Sequence, residues 1–448
     1  MPETAESAKS YTAVTAPGAW PVLGHLPQLM RDPLKFLSSL SAHGDLVTLR
    51  LGPARMSMAC HPDLVHQVLL NDRVFDKGGP FYERAAEALG NGLGTCPRAD
   101  HRRQRRLMQP AFQPARMPGY AVVMTEQIAA VTESWQEGQE LDVYPAMNQI
   151  TGRVTAATMF SAARSAEQID VFAKAVDEVM ASLLLRLMVP PSLSWLPLPV
   201  NRRFKRAVAV MRRVSQEIIS DYRASGVDHG DMLSMLLAAR DEDGDALSDS
   251  EILDQIATVY LAGVETTASA LAWALYELTQ HPDVEKRLHA EVDTVLAGRP
   301  ATHQDLPQLT YTRQVVDETL RRYPIGWMFT RAITTDSELG GHPVKGGTAI
   351  IFSPYAVHHR PGTDSHRFDP DRWADQAQPE RGSYIPFAAG ARKCIGDTFA
   401  LVEATLALAT ITSRWRLTNT RQHHPKPVLR ATLTPKALRL RLHRRSGD

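Results

Sequence analysis

Phe387-Ala-Ala-Gly390-Ala-Arg392-Lys393-Cys394-Ile-Gly396 sets one cysteine in a short loop, two residues after an arginine and directly ahead of an apolar, helix-like run over 396–413. The chain has three cysteines, at 60, 96 and 394, so the loop cannot be half of a C-x-x-C zinc or redox pair. A thiolate here is stabilised by the N–H groups of a helix N-terminus and by the cations at 392 and 393. Gly390 and Gly396 let backbone approach a flat partner, and Phe387 can pack edge-on against the sulfur. The chemistry that uses such a thiolate is metal ligation, haem iron above all. A buried structural cysteine is the alternative reading.

Away from this loop the chain divides by pattern. Pro17-Gly-Ala-Trp-Pro21 and Asp32-Pro33 punctuate a start that settles into a first helix near 33–43. Strand-like runs over 45–51 and 54–60, parted by Gly52-Pro53, read as a hairpin. From there to about 323 the pattern is helical. Short strands, turns and prolines follow up to the cysteine helix, and the alternating Ala437-Leu-Arg-Leu-Arg-Leu-His443 reads as an edge strand. The class is mainly α with small β-sheets.

The best-signalled helix opens at Leu247-Ser248-Asp-Ser-Glu251-Ile252, where Ser248 and Glu251 fit a capping box and Leu247 and Ile252 a hydrophobic staple. It runs to about Gln280, where His281-Pro282 stops it. Apolar on nearly every face over 259–275, it should cross the interior.

Bulk composition narrows the function classes. Lys+Arg 50 against Asp+Glu 49 gives no pull toward nucleic acid, and 44% hydrophobic residues suffice for a large core. The most apolar stretch, 183–200, carries Arg186 and prolines 190, 191, 197 and 199, so it is no membrane anchor. Few, widely spaced cysteines and a polar N-terminus point to a reducing, cytoplasmic setting.

Three further constellations carry chemistry. Ala262-Gly263-Val264-Glu265-Thr266-Thr267 sets small residues beside an acid–alcohol pair in the middle of the long helix. Thr266 can bond back to a carbonyl, leaving a groove in which a hydroxyl and a carboxylate relay a proton; a helix–helix close-packing spot is the other reading. Glu318 and Arg321 share a helix face at i,i+3, either as a surface pair or, with Arg372, as a buried triad. His101 and Arg105 share another face in His-Arg-Arg-Gln-Arg-Arg106, read either as a solvated basic helix or as a clamp for carboxylates.

In this order the four pieces resemble the cytochrome P-450 family of haem-thiolate monooxygenases from about Pro17 to the last strand. The cysteine loop matches the family's Phe-x-x-Gly-x-Arg-x-Cys-x-Gly signature at every fixed position. Ala262–Thr266 is similar to its oxygen-activation motif, and Glu318/Arg321 with Arg372 to its Glu-x-x-Arg network. The resemblance implies a single haem domain over 17–448, after a disordered 1–16, holding haem b with Cys394 as axial thiolate. It implies haem contacts from His101, Arg105, Arg331, Arg392, Phe387 and Gly396, with Glu265 and Thr266 feeding protons to bound dioxygen. It also implies NAD(P)H electrons delivered by a ferredoxin and its reductase. Arg102, Arg103, Arg106 and Lys393 are the expected basic docking face.

Substrate choice should sit in Pro324-Ile-Gly326-Trp327-Met328-Phe329, opposite small Ala262 and Gly263, with the Pro-rich 187–201 as lid. Burying about 150 Å² of apolar surface yields near 4 kcal/mol without a polar anchor. The wording of 326–331 and of Leu339-Gly340-Gly341 is similar to bacterial sesquiterpene oxidases of the pentalenene and epi-isozizaene type. The expectation is therefore a terpene hydroxylase of secondary metabolism. A fatty-acid or steroid hydroxylase, or a non-enzymatic haem sensor, are the alternatives. A carboxylate substrate would want a fixed cation, and 325–329 has none.

Overall fold

The structure, a computed structural model, describes residues 9–161, 166–187, 196–361, 364–374, 379–420, 422, 424–429 and 432–445. Most of the lid segment read over 187–201 lies outside them. The chain packs as two compact units: Met1–Gly79 with Trp327–Arg367 and Gln378–Cys394, and Pro80–Gly326 with Phe368–Ala377 and Ile395–Asp448.

The first unit is built on a six-stranded mixed sheet. Its order is Ala13–Thr15, Leu46–Leu51, Ala54–Ala59, Ala349–Phe352, Phe329–Ile333, Phe75–Lys77. The expected hairpin is there, with Val47 opposite Met58 and Leu51 opposite Ala54. Period-2 alternation sorts its residues between two cores: Ile350 and Phe352 join Leu64, Val68 and Phe75, while Ile351 joins Leu37, Val47, Leu49 and Met58. Residues 13–15, inside the segment read as disordered, form the first strand and pair in parallel with 46–48.

The second unit is organised by the 32-residue helix Asp249–Gln280, about 48 Å long. Ser248 caps it in a full capping box with Glu251, and Leu247 and Ile252 are both buried as the staple requires. Helix Val143–Met159 packs closely on it: Thr151 Oγ1 donates to Val264 O (2.9 Å), and a Cβ on Gly263 would stand 2.9 Å from Thr155 Oγ1. The cysteine-following helix runs Asp397–Arg414.

One strand departs from expectation. Arg439–Arg444 pairs with both Trp415–Thr418 and Glu140–Asp142, so it is the centre of a three-stranded sheet and not an edge. Its alternation reports one buried face, Leu440 and Leu442, against exposed Arg439 and Arg441; that pattern is blind to what lies alongside the strand. No described helix is long and apolar enough to cross a membrane.

Because Ser248 satisfies the first orphan N–H groups of the organising helix, Ser248→Ala should cost about 1 kcal/mol. It should appear as a lower denaturant midpoint at unchanged slope. An unmoved midpoint would show that the helix start frays without consequence.

Candidate active site

In the first unit the cysteine loop is closed by its own backbone. Ile385 N–H donates to His358 Nε2 (2.9 Å), Ala388 N–H to Ile385 O (3.1 Å), Lys393 N–H to Gly390 O (3.1 Å) and Cys394 N–H to Phe387 O (3.0 Å). Phe387 thus anchors the loop through its carbonyl. Gly390 has φ +70°, and a Cβ there would meet Leu69 O at 2.3 Å, so the turn requires glycine. Exposure separates the thiols: Cys60 and Cys96 are buried, Cys394 is exposed, and burial pushes Cys60 up to about 12.

Two of the proposed haem cations meet on one strand pair in this unit. Arg331 is buried, with its guanidinium 5.3 Å from the Phe352 ring centroid and Nη1 donating to Thr330 O (3.0 Å). It lies opposite Lys77, next to Asp76, and Asp76 Oδ1 accepts from Arg392 Nη2 (2.5 Å). Buried Arg392 therefore already answers one carboxylate.

Trp327, Met328 and Phe329 have packing duties not visible in their sequence. Trp327 and Met328 rest on the core around Val47 and Ile351, and Phe329 stacks on Phe352 (5.4 Å between centroids). Trp327 O also accepts from Ser353 Oγ (2.6 Å).

In the second unit Thr266 Oγ1 donates back to Ala262 O (2.6 Å), as the local loosening requires. Ala262 is exposed, whereas Gly263 serves the close packing on Thr155. Glu265 Oε1 accepts from the Thr432 hydroxyl (2.6 Å). Glu265 also lines a cavity of about 660 Å³ with Tyr144, Asn148, Lys174, Asp177 and Tyr260. Burial raises the Asp177 carboxyl there. Gly396 caps the cysteine-following helix, its carbonyl accepting from Ala400 N–H (2.9 Å).

Glu318, Arg321 and Arg372 come together. The fully buried Glu318 carboxylate accepts from Arg321 Nε (2.7 Å) and Nη2 (2.8 Å), Asp369 N–H (2.9 Å) and Trp373 Nε1 (3.1 Å), with Arg372 Nε at 3.6 Å. On helix Arg98–Met108, His101 is buried and Arg105 half-buried. Two members of the expected docking row make ion pairs: Arg103 with Asp241 (2.7 Å) and Glu251 (2.6 Å), and exposed Arg106 with exposed Glu242. The acids that neutralise them lie well over a hundred residues along the chain, out of reach of a local sequence reading.

One acid escaped the sequence reading. Glu403, on the cysteine-following helix, is fully buried, and neither carboxyl oxygen has a hydrogen-bond partner among the described residues. Burial holds its carboxyl well above the ordinary range, and the nearby Thr267 hydroxyl only partly opposes this. The signal was there to use: a single acid in the middle of an apolar helix.

A family model described as Cytochrome P450 matches residues 15–442. Pentalenene oxygenase from Streptomyces avermitilis is 46% identical over 445 residues, covering 98% of this chain and 99% of that protein. From Streptomyces melanosporofaciens, cyclooctat-9-en-7-ol 5-monooxygenase is 48% identical (91% of this chain, 90% of that protein) and cyclooctatin synthase 46% identical (95% and 94%).

Above the ordinary carboxyl value of 4.5 an unfolded Glu403 ionises while the native one keeps its proton. The native state then binds more protons, so stability falls as pH rises, by up to about 1.4 kcal/mol per pH unit. Glu403→Gln should match the parent near pH 4.5 and exceed it at pH 8 in a denaturation series. Parallel pH profiles would contradict a protonated Glu403.

Proposed function

The chain belongs to the cytochrome P450 family of haem-thiolate monooxygenases, and from that premise we propose that its substrate is a compact cyclic terpene hydrocarbon or its first oxidation product. The observation that carries this is 46–48% identity, over nine-tenths or more of the chain, to proteins named for pentalenene, cyclooctat-9-en-7-ol and cyclooctatin. The uncharged Pro324–Phe329 segment supports it, since an ionised substrate would lack a counter-charge there.

The family carries its haem on a cysteine thiolate, and the donor set of this chain fits that group. Cys394 is the exposed thiol, on a loop fixed by three backbone–backbone hydrogen bonds and by Ile385 N–H on the His358 ring, with buried guanidiniums at 331 and 392. We assign Cys394 as the thiolate that would hold the iron of haem b, and Arg331, Arg392, His101 and Arg105 as the side chains that would bind its propionates. Phe387 sets the loop geometry, and Gly396 the start of the following helix. Once bound, the haem activates dioxygen and inserts one oxygen atom into a C–H bond.

The protein's own task is to move protons and position substrate. Glu265, steadied at Oε1 by Thr432 and bordering the cavity, is assigned to carry a proton, and Thr266 Oγ1 to pass one onward by leaving its bond to Ala262 O. Ala262, Trp327, Met328 and Phe329 are assigned to substrate shape. For Trp327–Phe329 that role is added to the packing already described, and Gly263 contributes by admitting helix Val143–Met159. The family takes electrons from a redox partner; we assign a ferredoxin with its NAD(P)H-dependent reductase, in a reducing cytoplasm that suits the spaced thiols. Arg102, Arg103, Arg106 and Lys393 are assigned to its docking face, Arg103 and Arg106 being also ion-paired with Asp241 and Glu242.

Titration with pentalenene and with a cyclooctatane alcohol should shift the haem to high spin at low micromolar concentration, while palmitate does so poorly. Tight palmitate binding with no terpene response would favour the fatty-acid alternative. Thr266→Ala should leave that terpene affinity within about twofold while most NAD(P)H consumption ends in peroxide. Product per electron at the parental yield would refute the relay.

A further inference from the structure

Large apolar side chains in water concentrate at one place in the first unit. Eight are exposed among the described residues, and four fall within 20–30: Trp20 (56%), Val22 (85%), Leu23 (47%) and Met30 (63%). They are not on a loose tail. Trp20 N–H donates to Gly24 O (2.8 Å), Gly24 N–H to Trp20 O (2.9 Å) and Leu23 N–H to Pro21 O (2.6 Å), closing a tight turn. The turn is riveted to the hairpin behind it. Gly52 N–H donates to Leu23 O (3.0 Å) and Arg50 Nη2 to Trp20 O (2.5 Å), and a Cβ on Gly24 would strike Arg50 O at 2.1 Å.

At the apex Val22 holds φ +61°, where a β-branched residue is a genuine outlier. A strained backbone that keeps a valine almost wholly in water calls for an occupant. The charge around the turn says which. Between Pro17 and Gly44 the acids number one, Asp32, and its carboxylate is engaged as a helix cap on Lys35 N–H (3.1 Å). Arg31 ends the helix that follows the turn, and Arg55 lies opposite Arg50 in the hairpin register; both are exposed.

We propose that residues 20–23 form a peripheral docking tip for an anionic lipid bilayer. Trp20, Val22 and Leu23 seat at the boundary between headgroups and acyl chains, and Arg31 and Arg55 meet lipid phosphates. An indole flanked by exposed aliphatic side chains, with exposed arginines at 31 and 55 and Asp32 the one acid over 17–44, is the side-chain chemistry of an interfacial contact. A stable protein interface would instead need about 800 Å² per partner, far more than three side chains present. The proposal does not depend on which substrate the enzyme takes.

The test is flotation of the full-length, haem-loaded protein with vesicles of phosphatidylcholine, with and without one-quarter phosphatidylglycerol, at 0.1 M salt. The protein should float with the anionic vesicles. Val22→Ser with Leu23→Ser should lower binding at least tenfold with haem absorbance intact, and Arg31→Glu with Arg55→Glu should erase the preference for phosphatidylglycerol. Val227→Ser, at an exposed valine elsewhere, should change nothing. Should the double serine variant lose haem, Trp20→Phe replaces it, and quenching of fluorescence by brominated lipid should then fall. Failure to float, binding untouched by the serine variants, quenching untouched by Trp20→Phe, or a dimer that the serine variants split while vesicles go unbound would each overturn the proposal.

Discussion

Glu318 has no access to water, and a carboxylate in that position costs several kcal/mol unless its charge and all its acceptor sites are answered. Arg321 answers with two donors from the same helix, one turn away. The rest come from Asp369 N–H, Trp373 Nε1 and Arg372, on a segment about fifty residues later in the chain. Neither side can shift without stranding a buried charge. Helix Thr310–Arg322 and the Pro370–Trp373 turn are therefore held in one register, and the chain reaches the cysteine loop from that fixed point. Such a network specifies geometry more than it adds stability.

Local chemistry explains what was legible beforehand. The long helix was readable to its ends because capping box, staple and His281-Pro282 are short-range signals that agree with one another. The Thr266 back-bond needed only the i−4 carbonyl, and the Glu318–Arg321 pair only helix geometry. What escaped depends on partners far along the chain. The central placement of Arg439–Arg444 is decided by Glu140–Asp142, and the capture of Arg103 by Asp241. The packing role of Trp327 and Met328 stayed hidden because their apolar size was visible while the core under them was not. Strand 13–15 was missed for a like reason: three residues carry no periodicity, and only pairing with 46–48 defines them.

Burial also divides labour between two glutamates that sequence alone would treat alike. Glu265 borders an open cavity and accepts from the Thr432 hydroxyl at Oε1. Glu403 is fully buried, and burial holds its carboxyl well above the ordinary range, opposed only in part by the Thr267 hydroxyl. The first suits exchange with solvent; the second is a polar group enclosed within its own helix packing.

The same reasoning, run outward, applies to the surface. Within the first unit the sheet buries large apolar residues on both faces, Val47 and Ile351 on one and Ile350 and Phe352 on the other. Against that background the exposed Trp20–Leu23 turn is an exception held in place by hydrogen bonds and by a strained valine, not a fraying end. Folding alone would favour glycine at 22, which adopts φ +61° freely, and a polar residue at 23. Local strain retained against that preference is the mark of a constraint imposed from outside the fold. The apolar character of a terpene substrate supplies one: such a molecule partitions into bilayers, and an enzyme resting on that surface meets it where it is concentrated.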